Sequence, residues 1–241
     1  MRALKYEVMR LAYNKKYFYM LLIESLFASY ILMSFVSVGK DGTAPFSQWT
    51  YSEFLTSIGP LLSIILVMLC MSVFSEKEIA VRKIIFSTPL SESKYYLLKA
   101  SAITAVLVFT ASVPILLSFA YYAYYFNFYA YAEFLLPILL FLLPSQIFVL
   151  GLALVAGRIN SRLLYLLLPV LFLGSLDMKF PVWFDLFGKN FISWPLRWSM
   201  GAHEGPIPYT LPGEFLYSRL IFIFAGVCLL ALACRGSKKC Q

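Results

Sequence analysis

The chain has 241 residues and a net charge of +8, with 61% hydrophobic, 18% aromatic and only 13% charged residues, and a mean hydropathy of +0.79. Soluble domains are about half apolar and about a quarter charged, so composition argues against a water-soluble globule and predicts an all-α polytopic membrane protein. The positive charge forms no continuous basic face but sits in short clusters beside apolar runs, which points to membrane orientation and away from nucleic acid.

Residues 1–16 place Leu4, Val8, Leu11 and Ala12 at helical spacing, with Lys5, Arg10, Lys15 and Lys16 elsewhere around the wheel. That pattern predicts an amphipathic helix lying in the inner interface. It is too long and too charged for a secretory signal. Residues 17–74 then hold two spans, 17–38 and 54–74, joined by a polar outer loop at 39–53. Residues 95–176 hold three more: 95–126, which is long and aromatic at its far end, 134–156, broken by Pro137 and Pro144, and 163–176. The last of these is short against the roughly 20 residues that a bilayer requires. Residues 177–215 mix aromatics with a few charges, too interrupted to span and too apolar to float, and predict short helices dipping into the outer leaflet. A sixth span at 216–233 ends in a basic tail.

Six spans put both termini on one side, and the cations say which. Fifteen of the twenty Lys and Arg residues fall before span one, from Lys77 to Lys99, between spans four and five, or in the tail. That bias predicts both termini inside. All four tryptophans, Trp49, Trp183, Trp194 and Trp198, then lie toward the outer interface.

The stretch between spans two and three, residues 75–94, is the most charged in the chain. Ser75 is a good N-cap, and Glu78 three residues later completes a capping box. Glu76 and Glu78 suit the first turn, while Arg82 and Lys83 follow them. Glu78 and Arg82 stand four apart in the favourable order. Ile79, Ile84, Ile85 and Phe86 supply an apolar side, Thr88-Pro89 stops the helix, and Ser91 starts the next one. A short amphipathic helix held at the inner surface either lies on lipid or docks a cytoplasmic partner in a helix-in-groove manner.

This stretch resembles the segment between spans two and three of ABC-2 type permeases, the membrane subunits of bacterial ABC exporters. The residues that carry the likeness are Glu76 and Glu78, then Ile84 to Phe86, then Thr88-Pro89, Ser91 and Lys99; where that family usually has Gly-Thr, this chain has Ala80-Val81. The N-terminal helix, six spans and dipping segment extend the likeness over the whole chain. The resemblance implies a coupling helix, with Glu76, Glu78, Ile79, Arg82, Lys83, Ile85, Phe86, Thr88 and Pro89 facing a separate ATPase. It further implies two ATPase copies, a second permease (identical or sister), location in the bacterial cytoplasmic membrane, and export of a hydrophobic or amphipathic peptide, bacteriocin or antibiotic. Consistent with this, the chain holds no G-x-x-x-x-G-K-[ST] loop. It is expected to bind no cofactor, ATP and Mg belonging to the partner, and to be a transport subunit rather than an enzyme.

Within the spans, Glu24 is an ionisable group at membrane depth and therefore a candidate for the substrate path. Its other reading is a structural pair with a basic residue. Gln146 is a second path candidate, although it and the small residues Ala153 and Gly157 also suit helix packing. The single His203 excludes an H-E-x-x-H metalloprotease, and Cys70, Cys228, Cys234 and Cys240 match neither a zinc pattern nor a disulfide framework. An ATP-independent secondary transporter or a membrane scaffold is the alternative class, though no internal repeat supports the transporter.

Overall fold

In the computed structural model, the described residues are 2–39, 43–75, 78, 80, 91–174, 176, 181–191 and 208–235. Every regular element among them is helical. We label the α-helices α1 (Arg2–Ala12), α2 (Lys15–Ser34), α3 (Gln48–Val73), α4 (Glu92–Phe126), α5 (Leu135–Ile159), α6 (Ser161–Gly174) and α7 (Gly213–Cys234). Five of these, α2, α3, α4, α5 and α7, are long and apolar enough to cross a membrane. The remaining expected span, the fifth at 163–176, corresponds to α6, apolar but only 14 residues long.

Local chemistry accounts for the helix starts. Asn14 caps α2, its side chain accepting from the Lys16 N–H; Ser47 and Ser91 cap α3 and α4 by accepting from Thr50 and Lys94. The Ser91 start is where the sequence predicts it. Helix α3, however, begins at Gln48 and not near residue 54. Trp49 is therefore buried within α3 against Tyr209, ring centroids 4.8 Å apart, and does not stand in an outer loop. Trp183 is exposed, and Trp194 and Trp198 lie outside the described residues.

The prolines do not break α5. Pro137 occupies its first turn, where a missing N–H costs nothing. Pro144 lies inside a continuous helix, and the hydroxyl of the next residue, Ser145, donates to the carbonyls of Phe141 and Leu142. Helix α4 runs 35 residues through Pro114 and ends at Asn127, a left-handed cap with φ 50°.

Helix α3 is the most enclosed of the five and forms the axis of the bundle. Its N-terminal half packs aromatic on aromatic: Tyr51 stacks on Phe134 at 4.1 Å, beside Phe119 and Tyr122. The tyrosine-rich run is thus divided, with Tyr122 fully buried while Tyr124, Tyr125 and Tyr129 are exposed. Helices α2, α4 and α7 instead present broad apolar faces outward, among them Leu22 and Leu26, Val108 and Phe109, Leu220 and Phe224. Faces of that extent suit lipid or another subunit, not water. Together with the five long helices they give the chain its multi-pass membrane character.

Helices α5 and α7 meet where two glycines face each other. A Cβ on Gly151 would lie 2.6 Å from the Gly226 carbonyl oxygen, and one on Gly226 would lie 2.8 Å from the backbone of Ile147. Small residues let backbones approach this closely in a membrane. Gly157 serves the same end, because its Cβ would meet the Phe74 ring at 2.4 Å. Ala153 is fully buried beside them.

Candidate functional site

The polar side chains gather at two places. One is the end of the bundle where α1, the end of α3 and the start of α4 converge. Lys99, one of the largest fully buried side chains in the structure, lies on the second turn of α4. Its ammonium contacts Glu78 and stands 2.9 Å from Glu7 of α1. Arg10 of α1 also reaches both carboxylates, donating to Glu78 and sitting 3.0 Å from Glu7. The Tyr95 hydroxyl donates to Glu78 at 3.1 Å. Two carboxylates and two cations thus neutralise one another, with Lys99 fully enclosed and Arg10 partly exposed.

Burial alone opposes ionisation of Glu78, but Lys99 and then Arg10 outweigh it and hold its carboxyl below the ordinary glutamate range. Because the folded value is depressed, the stabilisation is complete above the unfolded glutamate value of about 4.3 and is lost as pH falls through the folded value. The melting-temperature advantage of the wild type over Glu78→Gln is accordingly expected to shrink below about pH 4. A pH series of melts of the two proteins in detergent measures this.

A second set of contacts ties the same end together. Arg158, in the last turn of α5, donates to the Ala233 carbonyl at 2.9 Å and so satisfies the end of α7. It also lies 3.7 Å from Glu92 and over the ring of Tyr96 at 5.1 Å. The first two turns of α4 therefore bind α1, α5 and the start of the 75–94 stretch at once.

Glu78 is the one predicted coupling residue that falls among the described residues. Glu76, Ile79, Arg82, Lys83, Ile85, Phe86, Thr88 and Pro89 lie outside them. The sequence reading paired Glu78 with its own turn; the fold turns it toward α1 and α4. Glu7 and Arg10 were missed because α1 reads as an interfacial helix whose charges face lipid headgroups, and no local pattern reveals a partner about seventy residues away. Lys99 was noticed only through the family likeness.

The two path candidates fare differently. Gln146 donates to the Gly59 carbonyl at 3.2 Å and to the Ser63 hydroxyl at 3.0 Å, which joins α5 to α3. Glu24 is fully buried on the face of α2 that carries Tyr17, Ala28, Ile31 and Leu32. Neither of its carboxyl oxygens has a hydrogen-bond partner among the described residues.

The second polar site, overlooked in the sequence, is at the other end. Residues 181–191 insert among the helices: Phe187 touches Gly59 of α3, and Gly188, at φ 83°, lies against the Phe141 ring of α5. Gly59 is eleven residues into α3, so the insertion is about 16 Å deep. Part of its backbone is satisfied internally, which membrane depth favours. The Asp185 carboxylate accepts from the N–H groups of Gly188, Lys189 and Asn190. The buried Arg219 of α7 donates to the carbonyls of Asp185 and Leu186 and packs over the Phe215 ring at 4.5 Å. Removing this cation in Arg219→Met is expected to weaken the inserted state by roughly 2–3 kcal/mol. Amide exchange at Gly188 and Lys189 should then speed up by one to two orders of magnitude.

Among the described residues, no group of three His, Cys, Asp or Glu side chains is placed to hold a metal ion. No family model matches the chain, and no curated protein or solved structure matches it either. What the chain does must therefore be argued from its own residues.

Proposed function

We propose that the chain is the membrane subunit of an ABC exporter of the ABC-2 permease type. In this reading it crosses the bacterial cytoplasmic membrane six times, counting α6, with both termini inside and α1 at the inner face. Residues 75–94 face the cytoplasm and couple to a separate ATPase, which supplies ATP and Mg. Two permeases, identical or sister, act with two ATPase copies on a hydrophobic or amphipathic peptide or antibiotic.

The observation that carries this reading is the anchoring of Glu78. The charged stretch opens on a carboxylate bound to Lys99 in α4 and to Arg10 in α1. Movement of that stretch would be passed to a helix about 52 Å long and to the helix that precedes the first span. A solvated loop would need no such buried attachment. Placing charges in a buried cluster stabilises little on balance, yet breaking it is costly, so its main effect is to fix position.

The test is co-expression with an ABC ATPase subunit from the same genomic neighbourhood, which this reading requires to exist. The two chains are expected to co-purify, and replacing Glu78 by Ala should abolish ATP-driven export while the assembled pair persists. Failure to co-purify, or full export by that variant, contradicts the proposal. The buried Glu24, without a hydrogen-bond partner among the described residues, favours a second reading, ion-coupled transport. Export that stops when the ion gradient is collapsed but ATP is retained would support it.

A further inference from the structure

Beside the buried cluster, a cleft of about 660 Å³ opens between α1, the start of α2 and the end of α3. Its volume lies within the roughly 300–1,000 Å³ of small-molecule sites. Its polarity changes along the helices. On α2, Lys16 at the mouth is followed one turn on by Met20; on α3, Ser75 and Ser72 at the mouth give way to Met71 and Met68 one turn further in. Two lining cations, Arg10 and Lys16, face one lining anion, Glu78, which Lys99, Tyr95 and Arg10 already engage. The Nε of Arg10 is buried and without a hydrogen-bond partner among the described residues.

We propose that this cleft binds the headgroup of an anionic phospholipid. The phosphate sits on Lys16 and Arg10, and one acyl chain runs along Met20, Met68 and Met71. A free anion would satisfy Lys16 but would leave the apolar half uncovered, and a zwitterionic lipid would bring a quaternary ammonium beside Lys16 and Arg10 along with its phosphate. The gradient, polar at the end of the bundle and apolar one turn deeper, is the gradient of a leaflet. Because Arg10 also holds Glu78, lipid bound here draws on the same guanidinium that anchors the charged stretch, and so tunes the tightness of that anchor. The site rests on α2 and α3 crossing a membrane and not on the ATPase partner.

Native mass spectrometry of the purified chain, titrated with phosphatidylglycerol or phosphatidylcholine, tests this. Wild type is expected to retain one phosphatidylglycerol in preference to phosphatidylcholine. Lys16→Gln should weaken retention about fivefold, the effect of one basic residue on an anionic lipid, and Lys16→Arg should restore it. Met68→Trp, which fills the apolar half, should weaken retention of lipid with helix content unchanged. The neighbouring exposed Lys15 does not line the cleft, so Lys15→Gln should have no effect. Equal retention of the two lipids would overturn the proposal, as would a Lys15→Gln loss equal to that of Lys16→Gln. So would displacement of phosphatidylglycerol by millimolar inorganic phosphate together with indifference to Met68→Trp, which would identify a free-anion site.

Discussion

Replacing Lys99 with Met is expected to cost about 3–5 kcal/mol, the usual consequence of stranding a buried charge whose partner has been removed. Two carboxylates, Glu7 and Glu78, share this one buried ammonium. Without it, Arg10 alone must serve both. The loss should be visible as a lower melting temperature in detergent and as reduced recovery of monodisperse protein. Adding Glu78→Leu to Lys99→Met removes the stranded charge and should return more than half of the lost stability, since an apolar replacement of a buried ion pair is often close to neutral. If the cluster transmits movement, the double variant should nevertheless remain inactive in ATP-driven export. Recovery of stability without recovery of transport separates the mechanical role from the architectural one.

Gly226→Leu should be the most disruptive single change within the spanning helices. Even the first carbon of a side chain there lies 2.8 Å from the Cα-flanking carbonyl carbon, the oxygen and the Cγ2 of Ile147. Two of those three atoms are backbone and cannot swing aside, so α5 and α7 must separate. Overpacking of cores costs about 1–3 kcal/mol when side chains can adjust, and Gly226→Ala alone should reach the upper end of that range. With Leu the helix pair should fail to form, read as aggregation on size-exclusion chromatography. Gly174→Ala is the control, because its nearest neighbour is 3.7 Å away and melting should hardly change. Equal effects at Gly226 and Gly174 would mean that helix propensity, not the close approach, governs both.

Much of the helical plan is legible in the sequence because hydrophobic runs and caps are local properties. The start at Ser91 and the long apolar helices follow from residues within a few positions of one another, whereas the cap at Asn14 ends early the helix expected over residues 1–16 and gives Lys15 and Lys16 to α2. Less legible is whatever depends on distant residues. The N-terminal limit of α3 was misplaced because Ser47 to Glu53 is polar in composition, yet Trp49 and Ser52 meet Tyr209 and Tyr51 meets Phe134. Proline suggested breaks in α5 that Ser145 and the position of Pro137 made unnecessary. Nothing local to Arg219 marks a partner, yet it reaches across 33 residues to hold an inserted segment. The binding cluster was half visible, since Glu78 and Lys99 lie near the charged stretch but Glu7 and Arg10 do not.

The account turns on residues 76–90 facing the cytoplasm and contacting a motor. A single cysteine at position 83, introduced by Lys83→Cys in a chain whose Cys70, Cys228, Cys234 and Cys240 are replaced, reports on this directly. A membrane-impermeant maleimide is expected to leave it unlabelled in intact cells and to label it after permeabilisation, with labelling reduced when the ATPase is co-expressed. Labelling of intact cells, or equal labelling with and without the ATPase, would contradict the account.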